Sequence, residues 1–210
     1  MGTSKLRVSP DTVIYVLCPS HIVTGGIEAV HQLVDKLRKF GHNAVIVPNP
    51  PVNNPLLLQY RNYDVSFARQ IIDDECNILV TTEVNPWVLD AFQSIQKALW
   101  WLSVDNHEAL EQRFDFDSIK NQDVVHFFQS AYAHDFLCRK GIVDSCSLTD
   151  YLHACYFHRQ GGKPKGDNVL YTPAKGAQEY VNQLQQADAS IQWLPLRGMI
   201  RKRHAQVLRQ

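Results

Sequence analysis

The sequence lacks the long apolar run that a membrane-spanning or exported protein would need. No stretch of eighteen apolar residues occurs among its 210 residues, and its first residues, MGTSKLR, lack the apolar centre of a secretory signal. The N-myristoylation pattern also fails, because Leu6 stands where Ser or Thr is required. These absences favour a cytoplasmic location, with peripheral contact to a membrane left open.

Several motifs that carry chemistry are missing as well. The chain has no G-x-G-x-x-G fingerprint, no G-K-[S/T] of a Walker A loop and no G-x-S-x-G nucleophile elbow. It also has no C-x2-C or H-x3-H pairing, although His153, Cys155 and His158 with nearby Cys146 offer soft ligands. The segment DYLHACYFH that holds most of them is more simply an amphipathic helix. We therefore expect no metal and no bound cofactor.

Cysteine is scarce and odd in number, which argues against a disulfide framework. The cysteines lie mostly inside apolar runs, and this predicts reduced thiols in the core of a cytoplasmic protein. They are Cys18, Cys76, Cys138, Cys146 and Cys155.

The net charge is zero, but the two signs are unevenly distributed. Residues 1–158 hold 12 Lys and Arg against 18 Asp and Glu, whereas residues 159–210 hold 9 against 3. A basic carboxyl-terminal part is typical of a tail that binds a membrane or nucleic acid. It is equally typical of a second domain that holds an anionic ligand. The segment RGMIRKRHAQVLRQ has no interleaved aromatic residues, so we expect no nucleic-acid partner.

Apolar runs alternate with segments of helical periodicity along the chain. Strands are predicted at Val13–Leu17, Asn43–Val47, Asn77–Thr81, Ala98–Val104 and Asp123–Phe128. Helices are predicted at Ile27–Phe40, Val65–Ile72, Trp87–Ile95 and Tyr132–Arg139, with Gly41 and Gly141 as stops and Ser130 as a cap. Strands this uniformly apolar are buried on both faces, so the pattern predicts an α/β fold with a Rossmann-like, doubly wound parallel sheet.

The segment RQGGKPKGD, residues 159–167, is the best candidate for a linker between residues 1–158 and residues 168–210. Beyond it, the pattern predicts strands at Asn168–Tyr171 and Ser190–Leu194 and helices at Ala177–Ala187 and Gly198–Leu208. Two strands and two helices cannot bury both faces of a sheet. The second α/β unit is therefore expected to be incomplete.

Gly25 and Gly26 separate the first strand from the first helix. Ligands of open parallel sheets bind outside the carboxyl ends of the strands, where a glycine-rich bend ahead of a helix exposes main-chain amides and the positive end of the helix dipole. Without Cβ atoms and with access to positive φ, the pair would let a phosphate or a sugar approach closely. A tight turn that binds nothing explains the two glycines equally well.

Three segments together resemble the retaining, nucleotide-sugar-dependent glycosyltransferases of the GT-B fold. GGIEAVHQLVDKLRKFGHNAVIV, residues 25–47, is similar to the opening of their amino-terminal domain. KALWWLSVDNH, residues 97–107, matches the strand before a loop that often bears a histidine, and DNVLYTPAKGAQEYVNQL, residues 167–184, is similar to the start of their carboxyl-terminal domain. The segments occur in the family's order and extend over most of the chain.

The resemblance implies roles for individual residues. Gly25, Gly26, Glu28, Asn106 and Lys175 would bind donor or acceptor, while Asp105 and His107 would hydrogen-bond the reacting sugar. Each residue also has a plainer explanation. Glu28 stabilises a helix start, Asp105 or Asn106 caps the next helix, and Lys175 is a solvated cation. The adjacent Trp100 and Trp101 are expected to lie in the core on opposite faces.

Two departures from the family's pattern weaken the donor site. Tyr171, Thr172 and Pro173 stand where an arginine usually precedes the Lys-Gly pair. A pair of Glu residues separated by seven others is expected deep in the second domain, and the only such pair here, Glu75 and Glu83, flanks strand three. We interpret this pair as a coincidence, and the chain as a truncated form that would be inactive alone.

The resemblance implies a metal-independent transfer of a sugar from a nucleotide-diphosphate donor to a hydroxyl of a glycan, lipid or protein acceptor, as in polysaccharide or glycoconjugate synthesis. A non-catalytic α/β binding or scaffold module is the alternative from another class, and a nucleotide-sugar epimerase of the same fold is a second.

Overall fold

The computed structural model describes residues 5–53, 55–105, 116–152, 169–171 and 177–195. The chain divides into two compact units, Met1–Tyr151 and Leu152–Gln210. The division falls ahead of the predicted linker at 159–167. None of the helices in these described ranges is long and apolar enough to cross a bilayer.

A parallel sheet forms the centre of the first unit. Six strands are present in the described part of this unit, in the order β2-β1-β3-β4-β5-β6, and every neighbouring pair is parallel. They are β1 (Val13–Pro19), β2 (Asn43–Asn49), β3 (Ile78–Thr82), β4 (Gln96–Trp101), β5 (Val124–Phe128) and β6 (Ser145–Ser147). The predicted α/β class is confirmed. The sequence pattern found β1 to β5 but missed β6, which is short and polar.

Helices cover both faces of this sheet. The described α-helices of the unit include α1 (Gly25–Lys39), α2 (Phe116–Asn121) and α3 (Ala131–Arg139), and short 3-10 helices lie at Leu58–Tyr60 and Pro86–Ala91. Val30 and Val34 of α1 pack with Val16 in one buried cluster. Leu137 of α3 packs with Leu17 in the other. Val16 and Leu17 are adjacent in β1, so their side chains point to opposite faces. Both faces are covered by helices, and this explains why the strands are apolar throughout.

The tandem tryptophans of β4 divide between the two clusters. Trp100 is 1% exposed and belongs to the α1 side, whereas Trp101 is fully buried on the α3 side. Their placement on opposite faces of the sheet was predicted and is confirmed. Both indole N–H groups donate hydrogen bonds, from Trp100 to the carbonyl of Leu148 at 2.8 Å and from Trp101 to Nδ1 of buried His126 at 3.1 Å. The buried polar atoms of both rings are thus satisfied.

The prediction of a helix at Val65–Ile72 is wrong, because this segment is extended. The N–H of Ile46 donates to the carbonyl of Ser66 at 2.8 Å, and the N–H of Ala68 donates to the carbonyl of Ile46 at 2.9 Å. The segment therefore lies along the outer edge of β2, and Val65 and Phe67 pack against the core there. Pairing with β2 outweighs a helical periodicity that was short and ambiguous.

The helix predicted at Trp87–Ile95 is reduced to a 3-10 helix at Pro86–Ala91. The carboxylate of Asp73 accepts hydrogen bonds from the N–H groups of Gln93, Ser94 and Ile95 at 2.8–2.9 Å. An acceptor that captures three successive amides removes them from any helical ladder. These hydrogen bonds lower the pKa of the Asp73 carboxyl, and those from Gln93 and Ile95 have the largest effects.

Two glycines end helices as predicted. Gly41 (φ +87°) follows α1, and Gly141 (φ +82°) follows α3. The Gly41 N–H donates to the Arg38 carbonyl and the next N–H donates to that of Leu37, which is the Schellman pattern. A left-handed residue is needed at this position, and glycine adopts it without strain.

The expectation that the cysteines lie mostly in the core is wrong for the described ones. Cys18 is buried, but Cys76, Cys138 and Cys146 are exposed. Cys76 lies in a turn beside Asp74, Cys138 on the outer side of α3, and Cys146 in the edge strand β6. Hydrophobic neighbours in the sequence did not predict burial at these three positions.

The second unit contains a strand-helix-strand element in its described residues. β7 (Val169–Tyr171) pairs in parallel with β8 (Trp193–Pro195), and α4 (Ala177–Ala187) lies between them in sequence. The strand predicted at Ser190–Leu194 begins later, because Asp188 accepts hydrogen bonds from the N–H and hydroxyl of Ser190 and forms a turn there. The helix predicted at Gly198–Leu208 lies outside the described residues.

Candidate functional site

The loops at the carboxyl ends of β1, β3 and β4 meet at one edge of the sheet. In the strand order, β3 lies between β1 and β4, while the chain runs from β1 outward to β2 before it returns to β3. The strand order therefore reverses beside β1, and such a point is where open parallel sheets bind ligands. The bend at Gly25 and the loop that carries Asp105 follow β1 and β4 at this edge.

Thr24 sets the start of α1. Its backbone is extended (φ −144°, ψ 167°), and its hydroxyl oxygen accepts a hydrogen bond from the N–H of Ile27 at 3.3 Å. Its carbonyl accepts from the N–H of Glu28 at 3.1 Å. Within the described ranges, the N–H groups of Gly25 and Gly26 have no hydrogen-bond partner. Two amides at the positive end of the helix are therefore available to an acceptor.

Neither glycine is required by the packing of the chain itself. Gly25 and Gly26 lie in the first helical turn without positive φ, so the conformational freedom considered from the sequence is not used. A Cβ on Gly25 would meet no atom within 4 Å, and one on Gly26 would make ordinary contact with Leu102 at 3.5 Å. The bend therefore has room for side chains that it does not carry.

Glu83 positions the loop after β4. This side chain is 2% exposed and follows β3 directly. Its carboxylate accepts hydrogen bonds from the N–H groups of Leu102 at 2.9 Å and Ser103 at 3.0 Å. The amides that would have prolonged β4 are thus engaged, and the strand ends at Trp101 rather than at the predicted Val104. In the sequence, Glu83 stood out only as half of a coincidental pair.

Two of the predicted acidic side chains are engaged by tyrosines. Asp105 is exposed and accepts a hydrogen bond from the hydroxyl of Tyr132, in the first turn of α3, at 2.9 Å. Glu28 accepts one from the hydroxyl of Tyr63 at 2.8 Å. Both acids therefore have a structural contact in addition to any role toward a ligand. Asn106, His107 and Lys175, the remaining predicted site residues, lie outside the described residues.

A depression opens beside this edge, between the ends of β1 and β2, with a volume of about 270 Å³ that includes space open to solvent. We call it the His31 depression. Its buried floor is formed by Cys18, Ile27, His31, Ile46 and Tyr60. The exposed His21 and Ile22 belong to its rim.

His31 could not be recognised from the sequence, because it falls on the same helical stripe as Ile27 and Val34 and looks like any core position. The one available signal was a histidine among apolar neighbours on the buried face of α1.

Cys18 does not supply a nucleophile in this depression. Burial raises the pKa of its thiol to about 12, so the thiolate is not formed near neutral pH. No cluster of three or more His, Cys, Asp or Glu side chains able to hold a metal ion is present within the described ranges. The set predicted to offer soft ligands lies mostly outside these ranges, since of its members only Cys146 is described.

Comparisons of the chain with protein-family models, with curated proteins and with solved structures found no match.

Proposed function

We propose that the chain is a glycosyltransferase of the nucleotide-sugar-dependent kind and that its first unit is a Rossmann-like, doubly wound domain. The observation that carries the proposal is the pair of unpartnered amides at Gly25 and Gly26, beside the reversal of strand order. Diphosphates favour such amides, because the N–H groups and the helix dipole both attract negative charge. The space left by the missing Cβ atoms supports close approach of a ligand.

The proposed chemistry depends on positioning and on charge stabilisation. The amides of Gly25 and Gly26 would stabilise the negative charge that develops on the leaving diphosphate, and Lys175 would add a cation. Asp105 would accept a hydrogen bond from a sugar hydroxyl, with Asn106 and His107 beside it as further partners. We propose no metal, and an acceptor that is a glycan, a lipid or a protein.

The proposal places the chain in the cytoplasm, in contact with the membrane periphery where the acceptor is a lipid. It also assigns residues 1–158 to the acceptor-side domain, residues 159–167 to a linker and residues 168–210 to the donor side.

A non-catalytic binding module is the second candidate, and one observation favours it. The predicted acids Glu28 and Asp105 are both hydrogen-bonded to tyrosines, whereas the main-chain amides are available. Such a site would bind a diphosphate without transferring a sugar. Product analysis with an added acceptor detects an active enzyme. A glycosyltransferase transfers the sugar to the acceptor, and an epimerase converts the nucleotide sugar without one, so either product would contradict the binding module.

Replacement of Gly25 by alanine tests the binding step. The substitution is expected to raise the free energy of unfolding by about 0.4–1 kcal/mol, since Gly25 is helical and a Cβ meets no atom there. It is expected to weaken binding of UDP-glucose about tenfold, because the added methyl group takes up open space that a diphosphate would need for close approach. Urea unfolding measures the first effect and titration calorimetry the second.

Gly41→Ala is the matched control. Since Gly41 has a φ of +87°, this variant is expected to lose about 1–2 kcal/mol of stability while the folded fraction binds UDP-glucose as the wild type does. Equal affinity of the Gly25→Ala variant and the wild type would contradict the amide site. Absence of binding by the wild type, with pyrophosphate and GDP-mannose included as further probes, would contradict the proposed function.

A further inference from the structure

The floor of the His31 depression is closed and mainly apolar. His31 is 2% exposed, and its ring stacks on that of Tyr60 with the ring centroids 4.3 Å apart. Ile27 and Ile46 complete this part of the lining. The enclosed portion has room for about one water-sized group, whereas the rest opens toward solvent. Any ligand group that reaches the floor must therefore be small.

The hydrogen bond of Nδ1 fixes the tautomer of His31. Nδ1 lies 2.8 Å from the carbonyl oxygen of Ile27. A carbonyl oxygen only accepts, so Nδ1 carries the proton. Nε2 is then a bare acceptor, because burial lowers the pKa of His31 and keeps the ring neutral near pH 7 despite nearby Glu28. This Nε2 is buried and has no hydrogen-bond partner within the described ranges.

A buried acceptor without a partner is uncommon and costly, and it indicates a group that arrives from outside the chain. The group must donate a hydrogen bond. It must also be uncharged, since no Asp or Glu of the described residues lines the depression to compensate a cation. An amide is larger than the enclosed space and also brings a carbonyl that needs its own donor. A hydroxyl is about the size of that space, and its O–H can donate to Nε2.

The rim indicates the character of the rest of the ligand. Ile22 is 48% exposed there, and Pro48, Pro55, Leu57 and Phe67 are half-buried around the opening. A sugar would leave several hydroxyls against these apolar side chains, so the surface fits a hydrocarbon better. His21 holds a left-handed backbone (φ +63°) at the same rim. A non-glycine residue held in that region is a feature found at ligand sites.

We propose that the His31 depression is a binding site for a small, largely apolar alcohol, whose hydroxyl donates a hydrogen bond to Nε2 of His31. The ligand's oxygen occupies the closed floor, and its hydrocarbon part lies against Ile22 and the apolar rim. The site does not use the amides of Gly25 and Gly26, so it stands independently of the proposed glycosyltransferase activity.

The first experiment compares two isomers with the full chain, 1-butanol and diethyl ether. They have the same atoms, but only 1-butanol donates a hydrogen bond. We expect 1-butanol to bind about tenfold more tightly in an NMR titration, as one neutral hydrogen bond to a buried acceptor predicts. We also expect intermolecular NOEs between the butanol methylene protons and the ring protons of His31. Equal affinity for the two isomers, or no NOE to His31, would overturn the proposal and leave the depression as a site for water only.

The second experiment uses His31→Phe, which keeps a ring against Tyr60 but removes the acceptor. This variant is expected to bind 1-butanol and diethyl ether equally, and a retained tenfold preference would overturn the proposal. His134→Phe is the matched control, because His134 lies on α3 and does not line the depression; it should keep the preference. If His31→Phe does not fold, the wild-type comparison and the NOEs still decide the question.

Discussion

Replacing Glu83 with alanine is expected to lower the free energy of unfolding by about 3 kcal/mol. The carboxylate is 2% exposed and accepts two main-chain hydrogen bonds, from Leu102 and Ser103. Alanine leaves both amides without this acceptor, and an unsatisfied buried donor costs about 1–3 kcal/mol. Glu83→Gln retains one acceptor oxygen and should lose about half as much. Urea unfolding at pH 7 measures these differences.

Glu75→Ala is the control for this prediction, since Glu75 belongs to the same sequence pair but is exposed. It should change the stability by less than about 0.5 kcal/mol. Faster hydrogen exchange is expected at the amides of Leu102 and Ser103 in the Glu83→Ala variant, because their acceptor has been removed. Similar stabilities for the two alanine variants would mean that Glu83 does not hold the loop after β4.

Acidification from pH 6.5 to pH 4 is expected to remove about 3 kcal/mol of stability through His126 alone. Burial lowers the pKa of His126 from 6.5 to about 4, and only the charge of Asp144 opposes this shift. The unfolded state binds more protons than the folded state between these values. The chain is therefore fully stable, as far as His126 is concerned, above pH 6.5. Its free energy of unfolding then falls by about 1.4 kcal/mol per pH unit as the pH drops toward 4.

The contact with Trp101 is a second reason, besides burial, why protonation of His126 is unfavourable. The indole N–H donates to Nδ1, so a proton on that nitrogen would break the hydrogen bond and leave a charge in the core. NMR titration of the imidazole measures the pKa of His126 in the folded chain. Urea unfolding between pH 4.5 and 7.5 measures how the free energy of unfolding changes with pH. His126→Asn is expected to reduce the loss of stability as the pH falls from 6.5 to 4. His42→Asn, at an exposed position, should leave that loss unchanged. A titration of His126 near pH 6.5 in the folded chain would refute the linkage.

The fold could be predicted where a local pattern and the tertiary environment agree. The apolar runs of β1 to β5 are buried on both faces. Trp100 and Trp101 are adjacent in β4, so their side chains had to lie on opposite faces of the sheet. Gly41 ends its helix because left-handed geometry is needed there. In each case the information lies within a few residues of the sequence.

The errors arose where distant partners decide the local structure. The segment Val65–Ile72 is extended because it pairs with Ile46, and the 3-10 helix at Pro86–Ala91 stops short because Asp73 binds the amides beyond it. No window of sequence around either segment contains its partner.

The candidate site divides in the same way. Its place after β1 and β4 could be inferred from the order of elements, and Gly25, Gly26 and Asp105 lie at the carboxyl edge of the sheet. Glu83 could not be identified as the residue that holds the β4 loop, because its two partners are 19 and 20 residues away in sequence. The bare Nε2 of His31 likewise depends on a side-chain tautomer that only the helix geometry defines.

The extended segment beside β2 also limits self-assembly. Strands at the margin of a sheet can recruit a strand from another molecule, and such recruitment starts domain swapping and fibril growth. Here Ser66 and Ala68 already occupy the outward-facing groups of Ile46, while the opposite margin, β6, is only three residues long. A substitution that detaches the segment from β2 would therefore convert a protected margin into a template for aggregation.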